Sequence, residues 1–424
     1  MSPTLPLPNH SVTERFMRYV VIDTQSDPKS QTVPSTEKQK DLGKLLTKEL
    51  LELGVLDVHM DEYGYVYAHL PSTTSVDVPS ICFCAHMDTS PDSSGTGVKP
   101  LIHRNYQGQD LVLPDDSTVV IRASEHPDLS AQSGNDVITA SGTTLLGADD
   151  KAGIAEIMDA VQYWMQHPEV PHGPIKILFT VDEEIGRGVD HVDLKRLDAT
   201  FAYTLDGETA GSIEDETFSA DGILIRIHGI GAHPGFAKGK MQNALKIASE
   251  LIDELPKNEW GPEFTEGRIG FVHPVRMNGH AEVCEIEFIV RDFEDGGLIE
   301  HGERLKGMLD TLIAKYPGCS YDWKQEAQYR NMKSMLDQHP QIMEIGIEGI
   351  RRAGLNPIRR SIRGGTDGSR LTYLGLPCPN IFAGGHAFHS KQEWVSVQDM
   401  ESAVRSIIHI AQLWAERTSS TYTH

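Results

Sequence analysis

Ile175-Lys-Ile-Leu-Phe-Thr-Val181 is an apolar run that passes directly into Asp182-Glu183-Glu184-Ile-Gly186. The run reads as a buried strand with a carboxylate pair at its C-terminal end. Two neighbouring carboxylates repel each other unless a cation or a shared proton relieves them. Taken alone, the pair reads as a solvated acidic turn. What decides its meaning is whether other strands deliver the same chemistry to the same end.

They do. Ile81-Cys-Phe-Cys-Ala-His86-Met-Asp88 is an apolar strand closing on His-x-Asp, and Phe201-Ala-Tyr-Thr-Leu-Asp206-Gly207 closes on Asp206. Asn380-Ile-Phe-Ala-Gly-Gly-His386-Ala-Phe-His389 is a strand running into a loop with two histidines. Leu145-Leu-Gly-Ala-Asp149-Asp150-Lys151 sets two carboxylates just ahead of a helix. In open α/β sheets, ligands bind beyond the carboxyl ends of the strands. One polar strand end is common; this repetition points to a shared site.

Imidazole and carboxylate without thiolate is a ligand set that suits zinc. His86, Asp149 and Asp206 can hold one metal; His389, Glu184 and again Asp149 can hold a second. A bridging carboxylate fits metals ~3.5–4 Å apart, as in two-metal hydrolytic sites. Two divalent ions would balance Asp149, Glu184, Asp206 and an ionised Glu183. Asp88 reads as the acceptor for the other N–H of His86, fixing its tautomer. Asp150 reads as a helix N-cap. Lys151 reads either as a charge balance or as a solvated lysine. Glu183, left without a metal, is the general base that takes a proton from a metal-bridging water.

The chain has 424 residues, which calls for two domains or one with a large insertion. Its net charge of −23 argues against nucleic acid or an anionic membrane as partner. Five scattered cysteines suggest neither a disulfide framework nor a four-cysteine zinc site, so a reducing compartment, by default the cytoplasm, is expected. Cys84 reads as packing. No stretch is apolar enough to span a membrane, and Met1 to Pro8 lacks the basic and apolar regions of a signal peptide.

Thr13 to Ile22 reads as a helix. Leu42, Leu45, Leu46, Leu50 and Leu53 mark a second helix, with Gly54 as its C-terminal stop. Tyr65 to Leu70 reads as a strand, and Asp92 to Asn135 as small strands or functional loops. Ala152, Ala155, Ile157, Met158 and Val161 mark another helix. Helices alternating with short apolar strands predict an α/β sheet covered on both faces. After Gly211 the order becomes strand Gly222–His228, helix Asn243–Leu255, a hairpin Ile269–Val275 and Val283–Arg291 with Asn278-Gly279 as turn signal, helix Leu298–Tyr316 and strand Cys319–Lys324. This is the ferredoxin-like β-α-β-β-α-β pattern, inserted into a host that resumes with a helix His339–Ala353, a strand at Asn380–Ala383 and a helix Gln398–Glu416. The expected division is 1–216 and 329–424 for the host and 217–328 for the insertion. Thr418 to His424 reads as a frayed tail.

The strings Arg15-Phe-Met-Arg-Tyr-Val-Val-Ile-Asp-Thr-Gln-Ser26, Ala85-His-Met-Asp-Thr-Ser-Pro-Asp92 and Thr144-Leu-Leu-Gly-Ala-Asp-Asp-Lys-Ala-Gly153 carry a strong family resemblance. So do Phe179-Thr-Val-Asp-Glu-Glu-Ile-Gly-Arg-Gly188, Ile289-Val-Arg-Asp-Phe293 and Ile362-Arg-Gly-Gly-Thr-Asp-Gly368. Over nearly its whole length the chain resembles the co-catalytic dizinc exopeptidases, which include carboxypeptidase G, succinyl-diaminopimelate desuccinylase and aminoacylases. Within them it is most similar to the peptidase T branch of tripeptide aminopeptidases.

The resemblance implies a mixed sheet sandwiched by helices, with the insertion as a lid and, in many relatives, a dimerisation module. It implies two Zn2+ ions bridged by Asp149, with His86 and Asp206 on one, Glu184 and His389 on the other, Glu183 as base and Asp88 behind His86. It also implies a cis peptide after Asp149. His233 matches a lid histidine that stabilises the oxyanion, against a plain reading as a turn residue. Arg291 and Arg363 match positions near the substrate carboxylate, against structural salt bridging; Asn243 faces the site or caps its helix. The branch's usual Gly-Gly-Tyr-Asn-Tyr-His is Gly384-Gly-His386-Ala-Phe-His389 here, so His386 either competes as a ligand or lines the pocket. Lys391-Gln392-Glu393 and Gly207-Glu208-Thr209-Ala210 also depart from the pattern and leave substrate preference open.

The expected activity is release of the N-terminal residue of a tripeptide. A dipeptidase or N-acyl amino acid hydrolase of the same family is the nearest alternative. A two-metal phosphoesterase gives no reason for a base beside a metal ligand or for a lid. A non-catalytic binding protein gives none for the full set of ligands.

Overall fold

The computed structural model describes residues 8–417, so the segments 1–7 and 418–424, including the expected frayed tail, lie outside the described residues. The chain divides into two compact units. The first comprises residues up to Asp215, Ser334–Arg360 and Thr366 onward; the second comprises Glu216–Lys333 and Ser361–Gly365.

The first unit is built on an eight-stranded mixed sheet. In spatial order its strands are Asp57–Met60, Val66–Leu70, Ile175–Thr180, Ile81–His86, Phe201–Gly207, Asn380–Phe382, Ser212–Thr217 and Ile358–Ile362. Ile81–His86 runs parallel to both Ile175–Thr180 and Phe201–Gly207, and Asn380–Phe382 runs parallel to Phe201–Gly207. Their carboxyl ends therefore lie along one edge. Every residue of the Ile81 and Ile175 strands is buried, which is why both read as continuous apolar runs.

Helices supply the covering layers. Ala148–Gln166 packs on the Ile81 and Phe201 strands, and Val397–Ala415 packs on Ala148–Gln166 and Pro340–Arg352. Rings tie them together: Phe83 stacks with Trp164 and Tyr203, and Phe201 with Trp414. Tyr203 also donates to the carbonyl of Ile342 at 2.7 Å. The leucine-spaced helix is Gln39–Glu52, and Gly54 beyond it takes φ +94°, a left-handed conformation that suits glycine. The segment expected to hold small strands does so: Leu101–His103 joins Val137–Thr139, Trp394–Ser396 and Gly385–His386 in a four-stranded sheet.

Within the second unit, strands Ser219–His228, Phe271–Gly279, Val283–Asp292 and Ser320–Tyr329 alternate with helices Ala244–Glu254 and Asp295–Ile313 in the order β-α-β-β-α-β. All pairings are antiparallel, and the Ser219 strand lies between the Val283 and Ser320 strands, the ferredoxin-like order. Ile223, Ile225 and Ile227 face Cys284, Ile286, Phe288 and Val290 in a core closed by Ile247, Leu251, Leu305 and Leu309. That alternation also corrects the expected turn. Asn278 and Gly279 are paired within the ladder, opposite Glu285 and Cys284, so the loop is His280 to Glu282. Inward burial of every second residue, with a register shift between Pro274 and Arg276, sets the pairing more strongly than the turn dipeptide.

Candidate metal centre

The Glu183–Glu184 pair does not sit on a strand end. The strand stops at Thr180, Asp182 turns left-handed at φ 55°, and Glu183–Ile185 forms a single 3-10 turn. Two buried aspartates shape it. Asp182 accepts from Ser35 N at 2.6 Å and Gln39 Nε2 at 2.6 Å, which pins the turn to the start of a helix. Asp88 accepts the backbone N–H of Glu183 at 2.9 Å with one oxygen and that of Glu184 at 3.2 Å with the other. Successive residues of such a turn point about 120° apart, so the two glutamates diverge through the turn rather than through strand alternation.

Around them the other candidates converge. His86 Nε2 lies 2.8 Å from Asp149 Oδ1 and 3.8 Å from Asp206 Oδ1. His389 Nε2 lies 3.2 Å from Asp149 Oδ2 and 2.8 Å from Glu184 Oε2. Asp149 thus gives one oxygen to each imidazole. Ligand atoms of His86, Asp149 and Glu184 fall within 4.8 Å of one another, as do those of His86, Asp150 and Asp206. Glu184 Oε1 is buried with no hydrogen-bond partner, and the carboxylate of Glu183 takes part in no hydrogen bond among the described residues.

The electrostatics ask for cations. Burial pushes Glu183 well above the ordinary carboxylate range, and burial with the Asp149 charge pushes Glu184 up to about 8. Asp206 is raised to about 6 for the same two reasons. Burial opposes protonation of His389, yet Asp149 and Glu184 outweigh it and raise the imidazole to about 11. Burial would raise Asp149 too, but His389 and His86 hold it below its usual range. Two imidazoles, converging carboxylates and an orphaned buried oxygen fit divalent metal ions.

Several supporting roles differ from expectation. His86 Nδ1 meets the backbone carbonyl of Asp88 at 3.1 Å, and the Asp88 carboxylate stands farther off at 3.5 Å because it is engaged by the glutamate turn. Asp150 does not cap the helix. Asp149 and Asp150 interrupt the helical backbone, the peptide between them is cis, and the Asp150 side chain is spent on the His86 backbone N–H, which Oδ2 takes at 3.1 Å. Lys151 is not solvated: it is buried and donates to the carbonyl of Ile22 at 2.8 Å. Glu393, not singled out in the sequence, accepts the N–H groups of Leu146, Gly147 and Asp149 at 2.7, 2.8 and 3.0 Å and so shapes the loop that presents Asp149. Asn380 accepts from Asp206 N and donates to Glu214 at 2.6 Å. Carboxylates placed just outside the His and Asp strand ends were the available signal for Asp182 and Glu393.

Comparison with known proteins gives the family. Peptidase family M20/M25/M40 matches residues 129–413. A peptidase T of Caldanaerobacter subterraneus subsp. tengcongensis is 46% identical over 406 residues, covering 96% of this chain and 99% of that protein. The chain belongs to peptidase family M20/M25/M40. A peptidase T of Clostridium botulinum (strain Loch Maree / Type A3) shares the same 46% identity and the same coverage. Among solved M20-type folds, a tripeptidase from Staphylococcus aureus subsp. aureus Mu50 superposes with a TM-score of 0.75 at 22% identity, covering 97% of this chain and 100% of that one. The aminopeptidase PepT from Bacillus cereus ATCC 10987 gives 0.72 at 23% identity, covering 96% and 98%. These two likenesses show the fold.

The remaining candidates of this M20 chain lie in the second unit or on the departing loop. Asn243 caps its helix, accepting from Leu245 N at 2.9 Å. His233 is exposed and accepts from Gly235 N at 3.1 Å, a turn contact that leaves Nε2 open. Arg291 lies over the ring of Tyr329 and donates to Gln328 at 2.9 Å. Arg363 makes no salt bridge among the described residues; it donates to the carbonyls of Gly267 and Ile269 and to Thr265 Oγ1, each at 2.9 Å. His386 is buried and stacked on Trp394, with Nδ1 3.6 Å from Asp128, and stands outside the cluster of ligand atoms.

Proposed function

We propose that this chain is a dizinc aminopeptidase that removes the N-terminal residue of tripeptides. The observation that carries the reading is Asp149, whose two oxygens are shared between His86 and His389. His86 and Asp206 would hold one zinc, Glu184 and His389 the other, with Asp149 between them. When bound, the ions supply Lewis acidity for the scissile carbonyl and lower the pKa of water. Glu183, with its carboxylate free of hydrogen bonds among the described residues and its backbone pinned by Asp88, takes the proton of the attacking water and hands it to the leaving amine. Among the second-unit candidates, His233 has the open nitrogen that suits a developing oxyanion, and Arg291 a guanidinium that suits a substrate carboxylate.

The relatives named peptidase T and the structural neighbour named a tripeptidase support the tripeptide assignment. The cytoplasm fits five cysteines that are all free thiols, and no helix among the described residues is long and apolar enough to cross a membrane. A homodimer through the second unit belongs to the same reading; its edge strand Phe271–Gly279 exposes Val275 and Met277. The deciding experiment hydrolyses Met-Gly-Gly, Gly-Gly and an N-acetyl amino acid side by side, with zinc content measured on the same sample. Methionine release from the tripeptide is expected. Acetate release with the tripeptide left intact would overturn the reading.

A further inference from the structure

Lys176 is the anomaly of the strand that decides the fold. It follows Ile175 in an otherwise apolar run, and its side chain is only 10% exposed. Its nearest carboxylate, Asp198 Oδ2, lies 3.8 Å away on a side chain that is 85% exposed, and no hydrogen bond ends on Nζ among the described residues. The stem of Lys176 is thus buried while its ammonium reaches solvent at a cavity, where no protein group among the described residues pairs with it closely.

The register supplies the surroundings. Lys176 stands directly opposite His69 on one neighbouring strand, and His69 stands opposite Asp57 on the next. Asp57, Tyr67, His69, Lys176 and Arg196 line a cavity of about 190 Å³. Their ionic contacts are long: His69 Nδ1 is 3.8 Å and Arg196 is 4.0 Å from Asp57. The Tyr67 hydroxyl accepts from Asp193 N at 3.0 Å, which leaves its own O–H to donate. Two cations and a hydroxyl thus face one void, and none of their side chains donates a hydrogen bond to a protein group among the described residues. The cavity lies at the start of the Ile175 strand, and the metal centre lies past its end.

We propose that this cavity binds a small oxyanion, a carboxylate or phosphate group held by Lys176, Arg196 and the Tyr67 hydroxyl. Such a group would replace long ion pairs with charge-assisted hydrogen bonds. Asp57 and Asp198 keep the region neutral overall without filling it. The source is either free phosphate or the carboxylate of an amino acid or peptide.

Titration calorimetry on the full, metal-loaded chain tests this with inorganic phosphate and, separately, acetate. Wild type is compared with Lys176→Met, which keeps length without charge, and with Arg196→Gln. Anion binding at the metal centre is common to all three and cancels in the comparison. Each variant is expected to bind one of the two probes roughly tenfold or more weakly, with peptide hydrolysis unchanged. A loss confined to phosphate identifies that source; a loss confined to acetate identifies a carboxylate. Identical isotherms for all three proteins with both probes would overturn the proposal. Should Lys176→Met fail to fold, Arg196→Gln decides the matter alone, because Arg196 is 43% exposed.

Discussion

The two units treat charge in opposite ways. The first buries Asp88, Asp149, Asp150, Asp182, Glu156 and Glu393. Of these, Glu156 has no partner for either oxygen, and burial pushes it well above the ordinary carboxylate range. In the second unit, the one buried carboxylate among the described residues is Asp221, which is paired with Arg330 at 2.8 Å and Gln325 at 2.7 Å. The other charges there lie outside an apolar core, as in the Arg226–Glu285 pair. Buried carboxylates weaken a fold unless something compensates. The first unit gathers Asp149, Asp150 and Asp206 around His86 as a candidate cation site, and the second has the interior of an ordinary scaffold.

That contrast can be broken by substitution. The largest effect is expected at Glu183→Ala: kcat should fall about 10²–10⁴-fold, with zinc content and melting temperature retained. Retained turnover would remove the base assignment. Next is Ile225→Ala in the second unit, a fully buried position that should lose about 2–5 kcal/mol of stability in denaturant titrations. Hydrogen exchange should quicken in the strands of that unit and leave the Ile81 and Ile175 strands protected; equal loosening of both would contradict two separate cores.

A smaller, pH-dependent effect belongs to Asp399 in the first unit. Burial raises it to about 6, opposed by the hydrogen bond from Gln132 at 2.8 Å. The folded chain therefore holds this proton above the ordinary value of 3.8, and stability falls as pH rises from there through about 6. Asp399→Asn should remove up to about 3 kcal/mol of that fall, read as a flatter profile of melting temperature between pH 4 and roughly 6. An unchanged slope would show that other groups set it. The smallest effect is Arg226→Ala, whose half-exposed pair with Glu285 should be worth within about 1 kcal/mol. A larger loss would mean that surface charge in the second unit matters more than its core.

The apolar strands that lead to His86, the Glu183 turn, Asp206 and the His389 loop were legible because burial on both faces writes itself as an unbroken hydrophobic run. The ferredoxin-like unit was legible through its alternation of twos and three-to-fours. Ser212–Thr217 was not: Ser-Ile-Glu-Asp-Glu-Thr carries no apolar run, yet Glu214 is bonded by Asn380 and Asp215 by Arg359. Pairing with residues more than 140 positions away leaves no local trace. The same reason hid the hold of Glu393 on the Asp149 loop and of Asp88 on the glutamate turn. Both act through backbone amides, which any sequence provides.

Asn380–Phe382 lies inside the sheet beside Phe201–Gly207, and His389 and Glu393 follow it closely along the chain. On the ribosome, domains fold as units and from the N-terminal side first. The second unit is nearly continuous from Glu216 to Lys333 and can mature while later residues are still being added. The candidate centre cannot, because His389 and Glu393 follow that unit along the chain. The candidate metal centre is therefore assembled only after the whole of the second unit has been made.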